Sequence, residues 1–158
     1  MVSVREPRDD ERDQITAILV ERWGAPIVVS RGVPHDMRDL PTFVADEDGE
    51  IAGVLTYNPG EREAEVVSID ALRQNRGIGT ALLDAVVDVA LANDWRRLWL
   101  ITTNDNTKAL RFYQRRGWDL VAVHRGAVDE SRRLKPEIPQ TGDDDIPIKH
   151  ELELELVL

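Results

Sequence analysis

The most constraining feature of the chain is a strand, a glycine-containing junction and a helix in direct succession. The apolar run AEVVSIDAL at 64–72 predicts a strand that is covered on both faces. The junction QNRGIG follows at 74–79, and residues 77–92 carry the apolar stripe of a helix. A further apolar run, RRLWLITTN, lies at 96–104. This order predicts a strand–helix–strand unit over 64–104 with parallel strands and a right-handed crossover.

The patterns outside this unit predict a mixed α/β fold in a single domain over 1–158. Acidic residues begin one helical pattern and a glycine ends it, and another helical pattern closes at Gly117. Alternating apolar residues on both sides of DEDG indicate a hairpin. The predicted strands are 2–7 and 118–126, the predicted helices are 9–24 and 106–117, and the hairpin is 42–58.

Two segments are predicted to be irregular, and the end of the chain is predicted to be a strand. Prolines interrupt residues 25–41, which predicts a loop with one short strand. Residues 127–145 predict a loop with at most one helical turn. In IPIKHELELELVL at 146–158, leucines alternate with glutamates from 151 onward, which predicts a half-buried strand with an acidic outer face.

Composition excludes several kinds of function. The net charge of −10 opposes binding to nucleic acid, because neutralising phosphates requires surplus Lys and Arg. The absence of cysteine excludes disulfides, thiolate metal sites and a cysteine nucleophile, and no metal site is predicted. No apolar run approaches the roughly 20 residues that cross a bilayer, and the charged N-terminus lacks a signal core. We therefore expect a cytoplasmic protein without a membrane partner.

The QNRGIG junction has the chemistry of a phosphate site. The N-terminus of a helix presents unpaired N–H groups and partial positive charge, and glycines let the backbone approach an anion closely. The dinucleotide pattern G-x-G-x-x-G fails because Leu82 stands at its third glycine, and the G-K-[ST] of a P-loop is absent. The alternative is a tight turn that binds no ligand.

Two motifs resemble the GNAT N-acetyltransferase superfamily. QNRGIGTALL fits the family signature Q/R-x-x-G-x-G/A, and NDNTKALRFYQRRGW resembles its N-x-x-A-x-x-F-Y-x-x-x-G-F/W segment. The resemblance covers about 2–123 and is weaker over 124–158. It implies the GNAT acyl-CoA N-acyltransferase fold, a mixed sheet of six to seven strands with about four helices. It also implies acetyl-CoA as co-substrate.

The resemblance assigns roles to individual residues. Tyr113 matches the tyrosine near the thioester sulfur and is the candidate general acid, although an aromatic core residue is the simpler interpretation. Asn106 matches the asparagine that contacts coenzyme A. The backbone of the preceding strand would pair with the pantetheine arm, and the loop amides would bind the pyrophosphate. The residues implied for these two roles are Ile69, Asp70 and Ala71 for the arm, and Gln74, Asn75, Arg76, Gly77, Ile78 and Gly79, with Thr80, for the pyrophosphate.

The general base remains open among several candidates. Glu65 aligns with the glutamate base of the histone-acetylating branch, and Asp70 lies nearer the cofactor end. Their opposite parity predicts that they do not point into the same cleft. His35 lies where family members form the acceptor side of the pocket, whereas His124 is interpreted as structural.

The expected function is transfer of an acetyl group to a primary amine by direct attack. The acceptor is an unidentified small molecule or protein, and the alternative is a non-catalytic acetyl-CoA or acyl-CoA binding module. The basic cluster Arg132, Arg133 and Lys135 either contacts an anionic acceptor or is a solvated charge run. Trp23 is a candidate for the acceptor site. We also expect a possible homodimer through the edge of the terminal strand.

Overall fold

A computed structural model describes residues 1–158. It contains nine strands and four α-helices, together with short 3-10 turns. The helices are α1 (Arg12–Trp23), α2 (Ile78–Ala92), α3 (Thr107–Gln114) and α4 (Ala127–Leu134). The strands are β1 (Val2–Arg5), β2 (Ile27–Ser30), β3 (Val33–Asp36), β4 (Thr42–Glu47), β5 (Glu50–Pro59), β6 (Glu63–Ala71), β7 (Arg97–Thr103), β8 (Asp119–His124) and β9 (Glu151–Val157).

Seven of the strands form one mixed sheet in the order β1-β4-β5-β6-β7-β9-β8. Strands β6 and β7 pair in parallel across α2, and the other neighbours in the sheet pair antiparallel. The parallel pair predicted from residues 64–104 is therefore confirmed. The expected mixed sheet with about four helices is also confirmed.

The sheet opens between its two parallel strands. Glu63–Val66 of β6 pair with Arg97–Leu100 of β7, and the ladder stops there. On its other side, β6 stays paired with β5 as far as Ala71. One edge of β6 from residue 67 onward is consequently free of strand partners, in the middle of a sheet.

A β-bulge in β6 lies at the point where the sheet opens. Thr56 of β5 pairs with Ser68 and Tyr57 pairs with Val66, so Val67 is an extra residue on β6. A bulge bends its strand and shifts the alternation of side chains by one position. Side chains of opposite sequence parity on the two sides of Val67 therefore lie on the same face of the sheet.

Hydrophobic clusters cover both faces. Ala64, Val66, Leu82 and Val86 belong to the cluster under α2, and the partly buried Ile69 and Ala71 pack against that cluster. Val67 belongs to the other cluster, with Ile15 and Leu19 of α1. The apolar stripe of α2 thus covers one face and α1 covers the other, as expected for a strand such as β6 that is buried on both sides.

Two segments predicted to be irregular are regular. Residues 25–41 contain the antiparallel pair β2–β3, a separate two-stranded ribbon. Arg31 and Gly32 adopt positive φ values of 50° and 75° at its turn, as two-residue hairpins require. Pro34 is tolerated because an edge strand does not need every N–H. Residues 127–134 form α4, a longer helix than the single turn that was predicted.

The expected role of the terminal strand as a free edge is wrong. β9 lies between β7 and β8, so both of its edges are paired, and the free edges of the sheet belong to β1 and β8. The glutamates of β9 are not an outer face either, since Glu151 is 2% exposed. They face the side of the sheet that carries Glu65, whose pKa is raised mainly by burial and further by the charges of Glu151 and Glu153.

None of the four helices combines the length and the apolar character that a membrane-crossing segment needs.

The contact between α2 and the sheet depends on Gly53, which predicts a loss of stability when a side chain is added. A Cβ at this position would lie 2.5 Å from Cγ2 of Ile78 and 3.0 Å from the carbonyl oxygen of Asp70. We expect Gly53→Ala to lower the free energy of unfolding by about 1–3 kcal/mol, because overpacking forces side chains or backbone to shift. Urea unfolding measures this, with Ser3→Ala on the exposed side of β1 as the control. An unchanged midpoint for Gly53→Ala would contradict the close packing.

Candidate active site

The largest cavity lies at the N-terminus of α2, where the QNRGIG junction meets α3. It has a volume of about 430 Å³. Of the residues predicted to bind the cofactor, Ile69, Ala71 and the whole of 74–80 line it, and so does Tyr113. Asp70 does not line it. The residues that sequence reasoning missed are Arg73, Lys108, Ala109, Phe112 and Arg116.

The backbone of the junction leaves donors free at the cavity. Gly77 caps α2 in the left-handed region at φ 71°, and no side chain caps the helix. The first hydrogen bond of the helix runs from Ala81 N–H to the Gly77 carbonyl. The N–H groups of residues 78–80 therefore have no helical partner, and the positive end of the helix dipole lies at the same place. This arrangement can bind an anion.

The second glycine of the junction permits close packing of two helices. A Cβ on Gly79 would lie 2.9 Å from Cζ of Phe112 in α3. Arg116 covers the same ring at 3.7 Å from its centroid and donates through Nε to the Thr80 hydroxyl at 2.8 Å. Gly79 thus brings α3, which carries Tyr113, against the first turn of α2.

Basic side chains surround this cavity although the chain as a whole is acidic. Arg73, Arg76, Lys108 and Arg116 all line it. Arg73 is held by two carboxylates, Glu47 at 2.7 Å and Glu50 at 2.5 Å. Arg76 keeps a side chain that is 62% exposed and lies 3.9 Å from Glu47. The charge distribution favours a ligand with several negative groups.

A smaller cavity of about 100 Å³ lies in the opening between β6 and β7. Tyr113, Ile69 and Ala109 line both this cavity and the larger one. Asn106 lines only the smaller one, where its side chain accepts the Ala109 N–H at 3.2 Å and caps α3. Trp23, at the end of α1 on the other face of the sheet, lines the smaller cavity as well. The opening therefore reaches from the junction side to the α1 side.

Tyr113 is a buried residue at the meeting point of the two cavities. It is 6% exposed, and its ring packs against Phe112 and Trp118. Its hydroxyl has no hydrogen-bond partner in the protein. Burial and the nearby charge of Asp70 raise the pKa of Tyr113, so it stays protonated at neutral pH. Its hydroxyl is thus available as a donor.

Glu65 and Asp70 lie on the same face of the sheet, so the parity prediction is wrong. The extra residue Val67 lies between them and shifts the alternation of side chains by one position. Both carboxyls consequently face α1 and the β2–β3 ribbon, where Trp23 Nε1 donates to Asp70 at 2.8 Å and Ser30 Oγ donates to Glu65 at 2.5 Å.

Burial changes the acidity of both carboxyls. It raises the pKa of Glu65 to about 7, although the Ser30 hydroxyl lowers that pKa and so opposes part of the effect. Burial also raises the pKa of Asp70, and the Trp23 indole opposes that shift. His35 Nε2 lies 3.5 Å from Glu65, and burial lowers the pKa of His35. Glu65, Asp70 and His35 are thus three titratable groups on the α1 side of the opening.

His124 is separate from this group. It contacts Glu153 at 2.9 Å across β8 and β9.

A third cavity of about 220 Å³ lies on the α1 side of the sheet, between α1, β2, α4 and β9. Trp23 lines it as well as the opening between β6 and β7. Lys135 also lines it, whereas Arg132 and Arg133 do not. Arg132 instead donates to the carbonyls of Pro139 and Ile148 and so holds the segment after α4 in place.

Comparisons with known proteins identify the family. The description "Acetyltransferase (GNAT) family" belongs to a sequence profile that matches residues 9–118. The uncharacterized protein YdhI of Bacillus subtilis (strain 168) is 41% identical over 143 residues, which is 89% of each chain. The chain therefore belongs to the GNAT acetyltransferase family, and the resemblance of its two motifs is confirmed.

Solved structures share the fold. The IAA acetyltransferase from Bacillus cereus ATCC 14579 superimposes with a TM-score of 0.76 at 19% identity, over 100% of both chains. A GNAT family acetyltransferase from Elizabethkingia anophelis, crystallised with acetyl-CoA bound, gives a TM-score of 0.68 at 18% identity over 99% of this chain and 98% of that one.

The raised pKa of Glu65 predicts a pH-dependent loss of stability. Between about pH 4.5 and 7 the folded chain keeps this carboxyl protonated while the unfolded chain ionises it. The folded state then binds more protons, so the free energy of unfolding falls as the pH rises through this window. The glutamine cannot ionise, so Glu65→Gln avoids this loss. We expect the free energy of unfolding of Glu65→Gln, relative to that of wild type, to be about 2–3 kcal/mol higher at about pH 8 than at about pH 5.

Urea unfolding at several pH values measures the effect. Glu61→Gln, in the exposed loop before β6, is the control for the loss of one negative charge. A constant difference between Glu65→Gln and wild type across the pH range would contradict the assignment.

Proposed function

We propose that this chain is an N-acetyltransferase that transfers the acetyl group of acetyl-CoA to a primary amine. The observation that carries the proposal is the opening between β6 and β7. It connects the anion-binding cavity at α2 with a face of the sheet that carries buried carboxyls. Membership of the acetyltransferase family supports the same reaction.

The co-substrate binds along the cavity and the free edge of β6. The pyrophosphate lies on the free N–H groups at the start of α2, with Gln74, Asn75, Arg76 and Thr80 around it. The pantetheine arm pairs with the backbone of Ile69 to Ala71, because that edge of β6 has no strand partner. Asp70 contributes backbone to this contact while its side chain faces the other way. The further phosphate of coenzyme A lies among the basic side chains that line the cavity.

The thioester lies at the opening, between Tyr113 and the α1 side. The amine nitrogen attacks the thioester carbonyl, a carbon–nitrogen bond forms, and the carbon–sulfur bond breaks. The amine loses one proton and the leaving thiolate accepts one. A phenol at this place can donate that proton, and the hydroxyl of Tyr113 has no competing partner.

Glu65 accepts the proton that the amine loses. Its pKa of about 7 suits a general base at neutral pH. Glu65 lines none of the three cavities, so the proton reaches it through water and through the contacts that Ser30 and His35 each make with Glu65. Asp70 is the competing base, because its charge acts on Tyr113 and its carboxyl lies beside Trp23.

The anion site predicts that a carboxylate at the helix cap abolishes cofactor binding. A side chain at Gly77 meets no atom within 4 Å and would project beside the free N–H groups. We expect Gly77→Glu to weaken acetyl-CoA binding roughly 10²-fold or more, since juxtaposed like charges cost several kcal/mol. Calorimetric titration with acetyl-CoA measures the affinity.

Gly126 provides a matched control for this experiment. It also caps a helix, at φ 72°, with no atom within 4 Å of an added Cβ, but it caps α4 rather than α2. Gly126→Glu therefore carries the same backbone strain and the same charge. Equal loss of affinity in both variants would mean that the effect comes from strain or net charge, and the phosphate site would be refuted.

The proposed acid predicts a separation of turnover from binding. We expect Tyr113→Phe to lower kcat roughly 10²–10⁴-fold, the usual range for general acid–base catalysis, while acetyl-CoA affinity is retained. Release of free thiol from acetyl-CoA with a panel of amines measures turnover, and calorimetry measures affinity. If both the wild type and Tyr113→Phe bind acetyl-CoA but acetylate no amine, the protein is a non-catalytic binding module.

A further inference from the structure

The cavity on the α1 side of the sheet contains a buried ammonium group without a carboxylate partner. Lys135 is 7% exposed and lines the cavity. Its Nζ donates to the carbonyl oxygen of Trp23 at 2.7 Å. That carbonyl belongs to the last residue of α1, so it offers only the partial negative charge of a helix C-terminus. An ammonium has three donors, and the Trp23 carbonyl satisfies one of them.

The carboxylates near this cavity do not neutralise Lys135. Glu151 also lines the cavity, but it faces the ribbon, where it accepts from the backbone N–H of Arg31 and lies 3.8 Å from the Arg31 guanidinium. Glu137 is the carboxylate whose charge acts on Lys135, without forming an ion pair with it. Burying a charge without a partner is costly, so an anionic ligand is the natural partner for Lys135.

A second polar group at the cavity is also unsatisfied. Ser131, one turn before Lys135 on α4, lines the cavity and is 3% exposed. Its Oγ is buried without a hydrogen-bond partner. Buried polar groups are normally hydrogen-bonded, and an exception calls for an explanation such as a missing ligand. Ser131 of α4 and Lys135, which directly follows that helix, thus each retain unused hydrogen-bonding capacity at one cavity.

The rest of the cavity wall is apolar over most of its extent, and its other polar members are Arg22, Thr103, Glu137 and Glu151. The uncharged, apolar part of a ligand therefore fits beside Ser131 and Lys135. Its volume of about 220 Å³ is small, which suits a ligand of the size of a single amino acid rather than a long chain. The apolar lining residues are Val28, Val29, Val128, Ile138, Pro139 and Ile148.

This cavity lies next to the opening between β6 and β7, because the two share a wall residue. Trp23 lines both this cavity and the opening that contains Tyr113. The group bonded to Lys135 is the backbone of that same residue. A carboxylate placed on Lys135 therefore lies beside a residue that also lines the opening, so an amine close to that carboxylate is on the side of the sheet from which it would attack the thioester.

We propose that the acceptor is an amino acid with an apolar side chain, whose carboxylate binds Lys135 and Ser131 and whose amine points into the opening between β6 and β7. This inference rests on the proposed acetyl transfer and names its substrate class. The reaction forms the amide bond to the amino nitrogen and releases coenzyme A as before. Lys135 and Ser131 are specificity residues and take no part in moving protons.

Matched acceptor pairs test the proposal. L-Leucine and L-phenylalanine are compared with 3-methylbutylamine and 2-phenylethylamine, which lack only the carboxylate. We expect the wild-type chain to prefer each amino acid over its amine in kcat/KM. Lys135→Met and Lys135→Gln should reduce that preference roughly 10²-fold, as truncation of one partner of a buried charge pair does. Lys149→Met, an exposed lysine of the same segment, is the control and should keep the preference.

Binding provides the second measurement. Calorimetric titration of the four acceptors in the presence of coenzyme A reports carboxylate recognition independently of turnover, and circular dichroism verifies that the variants fold. The proposal is overturned if neither kcat/KM nor affinity favours the amino acids, or if both Lys135 variants keep the wild-type preference. Acetylation of the plain amines with no such preference would leave the proposed function intact and refute this substrate class. Failure to acetylate either series would count against the proposed function, and the titration would then decide the inference alone.

Discussion

The unpaired stretch between β6 and β7 is the constraint on which the rest of the structure depends. A sheet normally satisfies the N–H and C=O groups of its central strands through their neighbours. Here the ladder ends at Val66 and Leu100, so one edge of β6 offers backbone groups to a ligand in the interior of the fold. The bulge at Val67 starts this separation. It also turns Glu65 and Asp70 to the same side, so one irregular residue positions both the free edge of β6 and the two candidate bases.

Charge is divided between the two faces of the sheet. The cavity at α2 is lined by basic side chains and helix N–H groups, although the chain carries a net charge of −10. The other face carries Glu65, Asp70, Glu151 and Glu153, which are largely removed from water. The proposed anionic cofactor and an ammonium group would therefore meet opposite electrostatic fields on the two sides of one opening. Burial also keeps the pKa of Glu65 near neutrality instead of in the usual acidic range.

Local sequence patterns predicted the helices and strands well, but they could not predict contacts between residues that are distant in sequence. The stripe of α2 and the alternation in ELELELVL come from periodicity, which each element carries in its own residues. The position of β9 inside the sheet cannot be derived from periodicity, because the pattern of a strand contains no information about its neighbours in the sheet. The single extra residue at Val67 leaves the apolar run of β6 unchanged, so the parity argument could not detect it.

The site was predictable to the extent that it is local. The junction residues line one cavity because they are consecutive around a helix start. Lys135 and Trp23 are 112 residues apart and meet only because the residue that follows α4 lies against the C-terminus of α1. In the sequence, Lys135 is one member of a basic cluster, and only the fold separates it from Arg132 and Arg133.

The β2–β3 ribbon has a consequence for how such an enzyme can diversify. It does not belong to the seven-stranded sheet, and polar contacts such as Ser30 with Glu65 and Arg31 with Glu151 tie it to that sheet. An insertion or deletion in the ribbon therefore does not change the register of any strand of the seven-stranded sheet. The same is true of the segment between β8 and β9. If the α1 side receives the acceptor as proposed, exchange of these two peripheral segments changes acceptor preference while the strands and helices around the cavity at α2 keep their arrangement.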